Sequence, residues 1–496
     1  MRRLKILIML LTACGLISAA DFKAGGLYYN ILSPTEVEVA KVNMKDFVLE
    51  FEGDTLLIPA SVEHEGLTYQ VVSIEDLAFS DAYWSLYDWS LGHPIEEQAK
   101  IKAVIVSEGL KRIGYLAFAK NVELASVYLP NSLEKIGYGA FAGCVGLKSI
   151  NTTGSVEVLE EQVFDSCRNM ASIDFLKDVR VIGERAFWDN SSLTSITIPE
   201  SVDSIKAGAF ASCYRLRSIY IPHNVRYVGI WAFAEANRSS GNIGEKVYGT
   251  PLTVVIDNNE ELMILPGSFG IDRTYDSQQY NLRASMTLFF LGSKPPVNGG
   301  YKIGMNCDYE GALPALIFVP KGLRETYLEP TYKIPLGGDK TLEYKAFSDF
   351  PYVCEFDPSI IAEGNCLLSI RKANNGGTVI VNGKEISDVQ ALGIQTGTTL
   401  TIQFIPDEGY TLKQIYWNHN LLDVVKDFSG GVSLTMELND NARLDCFFEE
   451  SDETGIKSAA SEDQHPSDIY NLDGRCLDTK PQKGIYIQNG KKYFAK

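Results

Sequence analysis

The chain is 496 residues long, 45% hydrophobic, with a formal net charge of −18 at pH 7. Without the basic residues Arg2, Arg3 and Lys5 of its first segment, 42 basic residues stand against 63 acidic ones, or −21. A surface of that sign repels phosphate backbones and anionic headgroups, which excludes nucleic acid and the membrane surface as expected partners, and the length excludes one ordinary core.

Residues 1–20 read as a signal peptide: a basic start, an apolar run and the small residues Ser18, Ala19 and Ala20, with cleavage expected before Asp21. Inside it, "LTAC" (Leu11 to Cys14) resembles a bacterial lipoprotein box, in which Cys14 would carry a lipid anchor. Both routes lead out of the cytoplasm, to the cell-envelope surface or to secretion. No later stretch is apolar for long enough to span a bilayer, so no transmembrane helix is expected in the mature chain. Residues 21–72 are expected to form N-terminal cap strands.

A repeat follows. Phe118, Phe141, Phe164, Phe187, Phe210 and Phe233 are spaced 23 residues apart, and Phe79 and Phe269 extend the series once inserts of 16 and 13 residues are allowed. Five residues before each Phe stands an aliphatic (Ile113, Ile136, Leu159, Ile182, Ile205); six and nine after come pairs such as Leu147 with Ile150. A 23-residue period with this pattern predicts a solenoid over 73–353, mainly β, whose coils stack short strands into a parallel sheet. Three residues after each Phe stand Asn121, Cys144, Cys167, Asn190, Cys213 and Ala236. An inward Asn or thiol there can satisfy backbone groups that a bend leaves unpaired, which explains these cysteines better than bridging or metal binding. The cycle resembles the BspA-like leucine-rich repeats of surface proteins from Gram-negative gut and oral anaerobes. That resemblance implies cell-surface adhesion through binding of a protein ligand, such as a host or extracellular-matrix protein. Glu160 and Glu161 depart from its pattern.

Ten residues after each Phe, the strand residue is expected to face outward. Tyr128, Asn151, Asp174, Thr197 and Tyr220 form this column, beside the small serines Ser126, Ser149, Ser172, Ser195 and Ser218. The column is the candidate ligand surface, set against the plainer reading of a solvated sheet face. The insert at 81–94 concentrates Tyr83, Trp84, Tyr87 and Trp89. It can stack on a glycan or cap the open end of the core.

From 354 to 450 the period becomes 2, as in Leu400, Ile402 and Phe404, or Leu444, Cys446 and Phe448. Short strands between Gly- and Asn-rich turns predict a small antiparallel β sandwich, similar to the Ig-like modules of bacterial surface proteins. Residues 451–467 read as a linker, and 468–496 as two short strands and a hairpin resembling a C-terminal sorting-type tail. His64, His93, His223, His419 and His465 have no metal-ligand spacing, and "GGTVIVNGKE" at 376–385 has the wrong glycines for a phosphate loop and reads as a hairpin. No catalytic residue, cofactor or metal is expected, and the chain reads as a recognition protein rather than an enzyme.

Overall fold

The computed structural model describes residues 20–41, 53–80, 101–236, 251–269, 286–298, 314–337, 340–347, 350–418, 420–422 and 431–451, with short strands at 469–470, 476–477, 484–488 and 491–495. The phenylalanine column is a stacked spine. From Phe79 to Phe269 successive ring centroids lie 5.2, 5.4, 5.6, 5.5, 5.1, 5.3 and 5.2 Å apart. All the rings but the last are fully buried. No single coil could exclude water from its ring, so stacking makes one continuous core from the N-terminal strands to the last coil.

Each coil has three walls. The outer wall holds the expected strands, such as Ser126–Tyr128, Ser195–Thr197 and Ser218–Ile221. A second wall, not anticipated from the sequence, is built of two-residue strands around the aliphatic five before Phe: Arg112–Ile113, Lys135–Ile136, Val158–Leu159, Val181–Ile182, Ser204–Ile205 and Tyr227–Val228. The third wall is the turn carrying Phe. Two residues before and after it the backbone is left-handed, as at Leu116 (φ 51°) and Lys120 (φ 63°), or Gly139 (φ 59°) and Gly143 (φ 74°). This twist aims alternate N–H groups at the next coil: Leu116, Phe118 and Lys120 donate to the carbonyls of Tyr138, Ala140 and Ala142 at 2.9, 2.8 and 2.7 Å.

The parallel stacking expected of the coils is observed, and it is divided among several sheets. The second wall splits between Lys135–Ile136 and Val158–Leu159, and the outer wall between Ser149–Ile150 and Ser195–Thr197. The first break falls at the Glu160 coil. Gly114 and Gly137, four residues before Phe, press so closely on the preceding coil that a Cβ would meet its backbone at 2.5 and 2.7 Å. Glu160 carries a Cβ there, but so do Lys206 and Leu265, whose N–H groups still donate to Ile182 and Val228 at 2.9 and 2.8 Å, so the side chain alone does not account for the break. On the outer wall Thr152 stands where neighbouring coils carry Leu129 or Ile198, and Phe175 turns edge-on to Phe164 at 5.5 Å. The turn wall holds across the fault, with Phe141 N–H donating to Val163 at 3.0 Å.

At the N-terminal end the strands Phe22–Ala24, Leu27–Ser33 and Glu36–Val39 form a meander that pairs with Leu67–Ile74 and extends the second wall. At the other end the short helix Arg324–Leu328 presents Tyr327 to the last coils. Its hydroxyl donates to the Gly292 carbonyl at 2.8 Å and accepts from Asn258 Nδ2 at 3.2 Å. The strand Val353–Phe356 still pairs with Leu316–Pro320, so the outer wall runs past the change of period.

Beyond it two sheets face each other around Leu368, Ile370, Leu400, Ile402, Phe404, Leu444, Cys446 and Phe448. One sheet has five strands and the other four. The pairing is antiparallel except between Asn365–Lys372 and Ala442–Glu450, which run parallel, a departure from the all-antiparallel expectation. The segment at 376–385 is a hairpin whose turn residues, Asn382 (φ 50°) and Gly383 (φ 81°), are both left-handed, as a tight two-residue turn requires. The C-terminal strands Ile469–Tyr470, Cys476–Leu477, Gly484–Gln488 and Lys491–Ala495 form a four-stranded antiparallel sheet.

Candidate functional site

The inward polar column behaves as the sequence implied. Asn121 Nδ2 donates to the carbonyls of Phe79 and Phe118 at 2.9 and 2.8 Å, and Asn190 Nδ2 to Phe164 at 2.8 Å. The thiols of Cys144, Cys167 and Cys213 reach the carbonyls of Phe118, Phe141 and Phe187 at 3.1, 3.3 and 3.3 Å. Burial pushes the Cys144 thiol up to about 12, so these sulfurs are protonated donors rather than nucleophiles. This column ties each coil to its neighbour through the backbone carbonyls.

The outward column is less uniform than its sequence spacing. Tyr128 projects from its strand and is 53% exposed. Asn151 is occupied by the backbone: its side-chain amide accepts from Leu129 N–H at 2.7 Å and donates to the Leu129 carbonyl at 2.9 Å. Asp174 lies in the fault coil, outside any strand, where its N–H donates to Ser172 Oγ at 3.0 Å. Thr197 is exposed and pairs in register with Tyr220. Tyr220 is half-buried against a second hydrophobic cluster that Val255, Phe289, Leu316, Phe318 and Phe356 form with Leu367 and Ala391 of the sandwich.

That cluster shows what this face of the solenoid can do. Tyr220, Val255, Phe289 and Phe318 stand in one hydrogen-bonded register, and the five-stranded sheet of the sandwich lies across them. Polar contacts fix the edges: Asn441 Nδ2 donates to Ser218 Oγ at 3.3 Å, and Arg217 Nη1 lies 3.9 Å from Asp440. On the same side of the sandwich, Asp445 is gripped by Arg443 at 2.8 and 2.9 Å and by Arg371 at 2.5 Å. Burial alone would raise the Asp445 carboxyl; the two guanidiniums hold it below the usual carboxylate range. Arg371 also reaches Tyr352 Oη at 3.5 Å and lies 5.0 Å from the Phe447 ring.

At the opposite end the same column is bare. Leu57 pairs with Ile105, and Ile105 with Tyr128; they are 57%, 39% and 53% exposed. Three large apolar side chains in adjacent strands make a patch that nothing among the described residues covers. Sequence reading missed Ile105 because the 16-residue insert hides its register, and Leu57 because it precedes the first Phe of the column. Subtracting that insert places Ile105 ten after Phe79, the outward position. Tyr83, Trp84 and Trp89 lie outside the described residues.

Among the described residues there is no group of His, Cys, Asp and Glu that could hold a metal ion, and no helix long and apolar enough to cross a membrane. The family model described as a BspA type leucine rich repeat region matches residues 111–240 in six copies. Solved structures similar to the chain include a leucine rich cell surface protein from Faecalibacterium prausnitzii (19% identity, 54% of this chain and 70% of that chain, TM-score 0.36). A leucine rich repeat protein from T. pallidum (23%, 44% and 91%, TM-score 0.35) and one from Bacteroides ovatus (18%, 54% and 71%, TM-score 0.33) are also similar. No curated protein matches the chain at a significant level. Over residues 111–240, the repeat and its coil register are those of a BspA type leucine rich repeat region.

Proposed function

We propose that the chain is an exported, non-catalytic recognition protein that binds a protein ligand through the outer wall of its solenoid, in the manner of a cell-surface adhesin. The observation that carries this reading is the division of one column. Its C-terminal part, from Tyr220 to Phe318, is covered by a β module, while its N-terminal part exposes Leu57, Ile105 and Tyr128 in the same register. A face shaped to receive polypeptide at one end offers the same chemistry at the other. Exposed aromatic and aliphatic anchors ringed by small polar residues are the usual centre of a protein interface. Tyr128 is the principal contact, with Asn151, Asp174 and Thr197 bordering it along the wall.

The test is binding of the mature chain to immobilised extracellular-matrix proteins and, in parallel, to a glycan array. Replacing Tyr128 by Ala and Ile105 by Asp is expected to abolish capture of a protein ligand while circular dichroism stays unchanged. Unaltered capture, or signals on glycans alone, would overturn the reading.

A further inference from the structure

A second surface lies on the other strand wall. A cleft of about 370 Å³ is lined by Val158, Glu160, Glu161, Val181, Glu184, Lys206 and Tyr227. It opens beside the fault, where Lys206 occupies the coil position that is glycine at 114, 137, 183 and 229. At each of those glycines a Cβ would stand within 2.7 Å of the preceding coil's backbone, whereas the Lys206 coil carries its side chain there with the pairing intact, Lys206 N–H donating to the Ile182 carbonyl at 2.9 Å. The floor is apolar: Val158 is 48% exposed and Val181 half-buried.

The charges around that floor are unbalanced. Three carboxylates and one ammonium line the cleft. Glu160 is paired with Lys135 at 3.4 Å, and Lys206 Nζ lies 4.9 Å from the Tyr227 ring. Two of the chain's own lysines thus already use a carboxylate and an aromatic wall of this cleft. Glu161 and Glu184, equivalent positions of successive coils, have no ion pair among the described residues. We propose that this cleft receives an arginine side chain of a polypeptide partner. The methylenes lie on Val158 and Val181, and the guanidinium bridges Glu161 and Glu184. The pairing fits because a planar fork can serve two carboxylates at once, whereas an ammonium is a single point charge. This contact lies on a different wall from Tyr128, so its success or failure is independent of the outer-wall interface.

The test uses the full chain and a fluorescent twelve-residue peptide of four Gly-Ser-Arg units, followed by polarisation at moderate salt. Glu161→Gln with Glu184→Gln is expected to weaken binding about tenfold, the loss typical of a charge-assisted hydrogen-bonded pair. Glu63→Gln with Glu123→Gln, the same change in net charge at exposed sites away from the cleft, is expected to weaken it less than about twofold. The Gly-Ser-Lys peptide is expected to bind more weakly than the arginine peptide. Equal losses in the two double variants would show nonspecific attraction to an acidic protein and overturn the proposal, as would parent-like binding of the cleft variant.

Discussion

Phe187→Ala measures how far the spine holds the solenoid together. The ring is fully buried, stacked on Phe164 at 5.5 Å and Phe210 at 5.1 Å, with Phe175 at 6.4 Å. Removing a buried Phe costs about 3–5 kcal/mol, and the value within that range depends on how far the site can collapse. Here collapse is opposed on both sides. Phe164 N–H donates to Ala186 at 2.9 Å and Phe187 N–H to Ala209 at 2.8 Å, which fixes the coil spacing. The cost should therefore fall in the upper half, about 4–5 kcal/mol. Phe269, at the end of the stack with a single spine neighbour at 5.2 Å and 7% exposed, provides the control. Its alanine variant should cost less, about 2–3 kcal/mol, because an end site relaxes more easily. A long repeat need not unfold in one step, so urea midpoints should be read together with hydrogen exchange over residues 182–210. A Phe187→Ala loss no larger than that of Phe269→Ala would refute the claim that the stacked interior rings carry the coils.

Asp165 is a buried carboxyl whose pKa burial raises to about 6, with Ser166, Arg185 and Arg168 opposing that rise and Asp189 adding to it. Because the folded value exceeds the unfolded one, its stabilising protonation is complete below about pH 4 and is lost as pH rises through 6. Asp165→Asn should flatten that part of the stability profile and raise stability at pH 7 by about 3 kcal/mol, read from urea midpoints at pH 4, 5, 6 and 7. Asn190→Ala leaves the Phe164 carbonyl without its side-chain donor and should cost about 1–3 kcal/mol; Asn190→Cys, which restores the donor used in other coils, should recover part of it. Phe318→Asp buries a carboxylate between solenoid and sandwich. It should release the sandwich, seen as faster proteolysis near 357–364 and a larger radius of gyration, with the repeat's circular dichroism retained.

The sequence displayed what repeats and hid what interrupts. Phe, aliphatic and Asn or Cys columns were legible because one physical role recurs every 23 residues. The second strand wall was not, since two-residue strands such as Val181–Ile182 leave no alternation to read. Glu160 was visible as a departure, but not that the sheet breaks at its coil while the coils of Lys206 and Leu265, with side chains at the same position, stay paired. Tyr128 and Tyr220 looked equivalent by spacing. They differ because the sandwich, distant in sequence, lies against one and not the other.

Hydrogen exchange on the chain bound to its strongest matrix-protein ligand tests the central claim most directly. The account predicts new protection on the strands Thr55–Ile58, Ala103–Val106 and Ser126–Tyr128, which carry Leu57, Ile105 and Tyr128. Protection confined to the sandwich strands Thr398–Pro406 and Val432–Leu438, with those three solenoid strands unchanged, would contradict it.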